Sequence, residues 1–192
     1  MPQPEIYLKK NEDKRLRKGH LWVFSNEVDT KRSPLEQFAA GELVQVKSDD
    51  GKIMGTAYVN PQTLICARLL SRKPNLKCGV NFFKERLTTA LALREKLFDK
   101  PYYRLVYGES DGLPGLVIDR FGPVLSVQIT TAGIEQRKES LIAALVELIN
   151  PAAIILKNDN SQRQLEGLSL ESEIAYGHLP DSLIIEENGA RF

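Results

Sequence analysis

The chain has 192 residues, 42% hydrophobic and 27% charged, with 13 Gly, 10 Pro, 2 Cys and a formal net charge of +1. This profile excludes a collagen, a disulfide scaffold and a disordered chain, and the length allows one large domain or two small ones. The longest apolar run, residues 141–149, is broken by Glu147 and falls far short of the roughly 20 residues of a membrane span; the opening MPQPEIYLKKNEDK has no signal-peptide core, so a cytoplasmic protein with reduced cysteines and no membrane partner is expected.

In chain order, residues 6–8 are β-prone. Residues 12–18 are rich in helix formers and stop at Gly19, which predicts one helical turn with Leu16 pointing inward. Residues 21–24, 42–47, 52–59 and 64–70 have strand character, and Asp50-Gly51 marks a tight turn. Residues 1–72 therefore read as a small β-rich barrel or roll. The polar, Pro-containing stretch 71–75 marks a boundary, and residues 73–192 read as a second domain.

In that second domain a linker helix is predicted over 82–98, with Asn81 as N-cap and Phe83, Leu87, Ala90, Leu91 and Leu97 as its apolar stripe. Strands follow at 104–107 and 115–120, and a hairpin joins 116–119 to 124–130 through Phe121-Gly122-Pro123. A single helix is predicted over 134–149, stopping at Asn150-Pro151. A buried strand at 152–157 and weaker ones at 173–176 and 183–186 complete the set. The expected fold class is mixed α/β (α+β): a small β-barrel-like domain, then a strand-strand-helix-strand-strand domain.

No two glycines stand closer than Gly112 and Gly115, so the chain has no G-x-G loop to let its backbone approach a cofactor phosphate, and no cofactor-binding residue is assigned. Cys66, Cys78, His20 and His178 lack the close pairing that zinc needs, and no metal ligand is assigned. Cys66 reads as a small buried hydrophobe, with Arg68 as the one sequence-local group able to stabilise a thiolate. His178 reads as a loop residue. The run GESDGLPG at 108–115 puts Glu109 and Asp111 on one loop; paired carboxylates can bind a cation or move protons, but an irregular turn is the favoured reading. No catalytic residue is assigned.

Charge placement is the positive feature. Residues 1–72 carry 12 Lys/Arg against 9 Asp/Glu, and residues 73–192 carry 14 against 16. The excess gathers at 9–18, where Lys9, Lys10, Lys14, Arg15, Arg17 and Lys18 face only Glu12 and Asp13. On one helical turn Lys14, Arg15 and Lys18 project to the same side, suited to phosphates; a merely solvated face is the alternative. His20 adds a hydrogen-bonding group. Trp22 could stack on a base, but inside an apolar strand it is expected in the core.

The runs KRLRKGHLWVF (14–24), AGELV (40–44) and GTAYVNP (55–61), then YRLVYGESDGLPGLVIDR (103–120), Arg163 with EGL (166–168), and ENGARF (187–192), are collinear over nearly the whole chain. This pattern resembles the N-terminal PUA domain and the middle domain of the ribosomal RNA large-subunit methyltransferase I family. These are S-adenosylmethionine-dependent RNA methyltransferases whose characterised type makes 5-methylcytosine in large-subunit ribosomal RNA. The resemblance implies a PUA RNA-binding domain over 1–72, a linker helix plus middle domain over 73–192, and a Rossmann-like C-terminal methyltransferase domain that these residues stop short of.

The cofactor S-adenosylmethionine and the cysteine that attacks C6 of cytosine would then belong to that further domain, since neither Cys66 nor Cys78 matches the nucleophile. The 192 residues are expected to be the RNA-recognition portion of the parent enzyme, inactive by themselves and binding no cofactor. The implied partners are ribosomal RNA and the chain's own methyltransferase domain, with a homodimer as a further candidate. Lys14, Arg15, Lys18 and His20 are the expected RNA contacts, with Arg17 and Arg68 as further members. The alternative is a stand-alone PUA-type RNA-binding adaptor without methyltransferase activity. A third reading is a protein-interaction module whose basic face is only solvated.

Overall fold

The structure, a computed structural model, describes residues 3–187 and 190–191. In chain order its elements begin with β1 (Glu5–Tyr7), α1 (Lys14–Arg17), β2 (Trp22–Val23), β3 (Glu42–Lys47), β4 (Ile53–Val59) and β5 (Ala67–Ser71). There follow α2 (Val80–Leu97), β6 (Tyr102–Tyr107), β7 (Leu116–Phe121), β8 (Val124–Ile129), α3 (Ala132–Glu135) and α4 (Lys138–Ile149). The last elements are β9 (Ala153–Asn158), α5 (Gln162–Leu165), β10 (Glu171–Gly177), β11 (Glu186–Glu187) and β12 (Ala190–Arg191). The fold is mixed α/β. The chain forms two compact units: one of the residues up to Lys77 with Thr131–Gln136 and Leu165–Leu168, the other of Cys78–Thr130, Arg137–Gln164 and the residues from Ser169 onward.

Among the described residues, the first unit is built on a five-stranded sheet in the order β1-β3-β4-β5-β2, antiparallel except where β1 runs parallel to β3. Alternate residues point to opposite faces of a strand. Val44 and Val46 of β3, Ala57 and Val59 of β4, and Ala67 and Leu69 of β5 accordingly enter one core with Ile6, Leu8, Leu16, Val23, Val28 and Cys66. The two later segments of this unit are tied in by Glu166. Its Oε2 accepts hydrogen bonds from Asn60 Nδ2 (2.7 Å) and from the N–H of Ala132 (3.3 Å), which opens α3.

The second unit holds a sheet in the order β10-β9-β8-β7-β6. The β7/β8 hairpin turns at Gly122-Pro123 as expected, and the one parallel pair, β8 with β9, needs a long crossover, which α3 and α4 lie on. The expected strand-strand-helix-strand-strand run corresponds to β7, β8, α4, β9 and β10; β6 adds an edge strand paired to β7. Arg163 is 1% exposed, and its guanidinium donates to the carbonyls of Ser169 (2.8 Å) and Ile129.

Several local expectations change. The helix predicted over 134–149 is two helices, because Arg137 (φ −119°, ψ 15°) leaves the helical region between them. The linker helix starts at Val80 with Gly79 at its N-cap, so Asn81 lies inside the first turn. Its predicted stripe is buried at Phe83, Leu87 and Ala90, but Leu97 is 66% exposed: α2 has 18 residues and α4, against which it packs, only 12. Residues 183–185, predicted as strand, have no regular structure, and pairing begins at Glu186. Among the described residues no helix is long and apolar enough to cross a membrane.

Candidate nucleic-acid interface

The turn α1 is held by one apolar residue and ended by one glycine. Leu16 is 2% exposed and enters the core. Gly19, at φ +104°, closes the turn in a conformation that L side chains rarely adopt. Gly19 and His20 donate their N–H groups to the carbonyls of Leu16 (3.0 Å) and Arg15 (3.1 Å). Lys14, Lys18 and His20 are left exposed.

The basic side chains then divide into two kinds. Lys14 and Lys18 make no side-chain hydrogen bond or ion pair among the described residues. Arg17 instead donates to the Asp13 carboxylate, four residues earlier. Arg15 Nη1 donates to Glu27 Oε1 at 3.0 Å, where the Glu27 side chain is only 8% exposed. A guanidinium already facing a carboxylate has less unbalanced charge to offer a phosphate.

Arg68, distant in sequence, joins this surface through aromatic rings. Strands β2 and β5 place Trp22 opposite Arg68, and the Arg68 guanidinium carbon lies 5.6 Å from the Trp22 ring centroid. Trp22 stands edge-on to Phe24, with centroids 6.5 Å apart. The Arg15 guanidinium lies over Phe24 at 4.9 Å. The row Arg15, Phe24, Trp22, Arg68 is therefore continuous, with a carboxylate at each end: Glu27 on Arg15, and Glu166 Oε1 at 3.9 Å from Arg68 Nη2. The core expectation for Trp22 fails. Strand β2 has two residues, and with Val23 turned inward the pleat sends Trp22 outward, where it is 38% exposed.

Arg72 was not singled out by its sequence context. Its Nη2 donates to the carbonyl of His20 at 3.0 Å, fixing the chain between α1 and β2, and burial lowers its pKa below the ordinary guanidinium value. Spacing could not have found it: Arg68 and Arg72 are four residues apart, but the β5 register against β4 shifts between Leu69 and Ser71, and Leu69 and Leu70 are both buried, so simple alternation does not link them.

Cys66, Cys78 and Asp111, the groups with most potential for chemistry, are buried or structurally engaged. The Cys66 thiol faces the carbonyl of Val23 (3.6 Å), and burial pushes its pKa to about 12; that of Cys78 is pushed to about 11. Neither supplies a thiolate at neutral pH. In the 108–115 loop, which turns through the 3₁₀ segment Gly108–Asp111, Asp111 accepts both Nη atoms of Arg94 (2.6 and 2.8 Å) and the N–H of Tyr107 (2.6 Å). That carboxylate closes a turn. His178 is exposed.

A family profile described as a PUA-like domain matches residues 6–72. Over 190 residues, 97% of the chain, the sequence is 37% identical to the ribosomal RNA large subunit methyltransferase I of Aliivibrio fischeri. The similarity runs along almost the whole length of the chain. The methyltransferase I of Escherichia coli O157:H7 is 36% identical over 190 residues, and that of Vibrio cholerae 36% over 192. The chain spans about half the length of these curated relatives, 47% in each case. Two solved structures share the fold at 21% identity and a TM-score of 0.78: a candidate SAM-dependent methyltransferase from Streptococcus mutans and a candidate methyltransferase complexed with SAH. They cover 98% and 100% of this chain, which again corresponds to 47% of theirs. The residues matched to the PUA-like domain include all six predicted RNA-binding positions, Lys14, Arg15, Arg17, Lys18, His20 and Arg68, as does the methyltransferase I relationship.

Proposed function

We propose that this chain recognises ribosomal RNA for an S-adenosylmethionine-dependent cytosine-5 methyltransferase, with residues 1–72 as the RNA-binding domain and residues 73–192 as a linker helix and middle domain. The observation that carries the reading is the pair Lys14 and Lys18. Both are exposed on a turn pinned by Leu16 and Gly19, and neither faces an acid among the described residues. A strong local positive charge held on a rigid turn attracts a phosphate backbone. His20 adds a neutral hydrogen-bonding group, and Arg15, Arg17 and Arg68 lend charge while fixing the surface. The relatives named as ribosomal RNA methyltransferases support the same partner.

On this reading the methyl-donor pocket and the nucleophilic cysteine belong to the part of the relatives that these residues do not match. The buried, weakly acidic Cys66 and Cys78 support that assignment. The partners are ribosomal RNA, met in the cytoplasm, and a methyltransferase domain of the same protein.

The test is filter binding of a large-subunit ribosomal RNA fragment at two salt concentrations, with wild type and with Lys14→Glu/Lys18→Glu. The double variant should bind more weakly, and its salt slope should fall by roughly 0.7 to 0.9 for each phosphate that loses its lysine. Unchanged affinity in a folded variant refutes the assignment. Calorimetric capture of S-adenosylmethionine at micromolar concentration by this chain would overturn the placement of the donor pocket.

A further inference from the structure

The charged turn alone would suit any polyanion, duplex or single-stranded. The row of rings beside it is more selective. Trp22 presents 38% of its surface to solvent on an edge strand, although its neighbour Val23 is fully buried. That exposure forgoes part of the burial a large apolar ring offers and leaves an indole edge and face open to a flat ligand.

The ring is also held in place. Strand pairing sets Trp22 against Arg68, whose guanidinium reaches the buried Glu166; Phe24 abuts Trp22 edge-on and is itself covered by Arg15, which is tied to Glu27. Glu27 Oε2 further accepts the N–H of Phe24 at 2.8 Å, so the backbone between the two rings and α1 is fixed as well. Two residues before Trp22, the His20 carbonyl is held by Arg72. Neither ring needs to be ordered when a ligand arrives, and the basic turn that supplies Arg15 also carries Lys14 and Lys18.

We propose that Trp22 is a stacking platform for an unpaired nucleobase, so that the surface takes single-stranded or looped RNA in preference to duplex. The inference rests on the RNA-binding reading above. A flat π-face accepts any base, with hydrogen-bond readout unnecessary, and the unmatched ammonium groups of Lys14 and Lys18 on the neighbouring turn receive phosphates beside the stacked nucleotide. In a duplex the bases are already stacked on each other and none is available to the ring.

Trp22 is the one tryptophan of the chain, so its fluorescence reports the platform directly. The full chain is titrated with oligouridylate, with an abasic oligonucleotide of equal length and with a blunt RNA duplex, binding being measured in parallel by filter retention. Oligouridylate should quench the fluorescence; the abasic strand and the duplex should bind more weakly and leave it unquenched. Trp22→Ala should weaken oligouridylate binding roughly 5- to 150-fold, the range for loss of one stacked base, with the salt slope unchanged. Trp22→Phe should retain most of the affinity, which separates stacking from misfolding.

If oligouridylate is retained on filters without quenching, or Trp22→Ala binds it as wild type does, the platform is wrong while the RNA-binding reading stands. If none of the three probes is retained, the RNA-binding reading fails and takes the platform with it.

Discussion

A Cβ atom at Gly133 would stand 2.1 Å from Cγ of the Tyr58 ring. Gly133 lies in the first turn of α3 and Tyr58, 2% exposed, lies on β4, so helix and sheet of the first unit meet where only a hydrogen fits. Gly133→Ala should destabilise that unit by about 1–3 kcal/mol through overpacking. Urea denaturation measures it. Tyr58→Ala should relieve part of the added strain, so the double variant should be more stable than the sum of the two single changes predicts.

The Arg94–Asp111 pair joins α2 to the 108–115 loop with both side chains largely buried, 12% and 7% exposed. Removing one partner leaves the other charge buried and unmatched. Asp111→Ala should therefore cost about 3 kcal/mol, read from thermal or urea unfolding. RNA retention at a temperature where the variant is folded should equal that of wild type; a large loss of RNA binding with intact stability would mean that the loop is a binding element.

The two kinds of basic residue on α1 should behave differently. Lys14→Ala and Lys18→Ala each remove an unmatched charge and should lower the salt slope of RNA binding by roughly 0.7 to 0.9. Arg17→Ala removes a charge already facing Asp13 and leaves that largely buried acid unmatched beneath the turn. Its effect on the slope should be no larger, and Asp13→Asn should strengthen binding by releasing Arg17.

Both cysteines should resist a thiol reagent near pH 8 and react once urea unfolds the chain. Their ordinary pKa is 9.0, against about 12 for Cys66 and about 11 for Cys78 when folded. Burial disfavours the thiolate, so above pH 9 the unfolded chain loses protons that the folded chain keeps. Stability should accordingly be unaffected by these groups below pH 9 and fall from pH 9 towards 11 and 12. Cys66→Ala should flatten most of that decline, as followed by urea midpoints across the alkaline range.

Much of this was legible one residue at a time. Leu16 sits alone among charges, and Gly19 follows a run of helix formers; together they determine a single basic turn whatever surrounds it. The alternation at 42–47 and the Gly122-Pro123 hairpin are equally local. The interruption at Arg137 was not legible, because 134–149 satisfies a continuous helical pattern and the break depends on α3 being held by Glu166 and Tyr58, residues remote in the chain.

The amino-acid sequence by itself determined the two sorts of domain, the position of the basic turn and the absence of a G-x-G loop, since each is written in neighbouring residues. Only the tertiary structure decided which charges remain unmatched and which way Trp22 faces. Asp13 neutralises Arg17, Glu27 engages Arg15 and the pleat at Val23 turns the indole outward, and each outcome depends on how the elements pack in three dimensions.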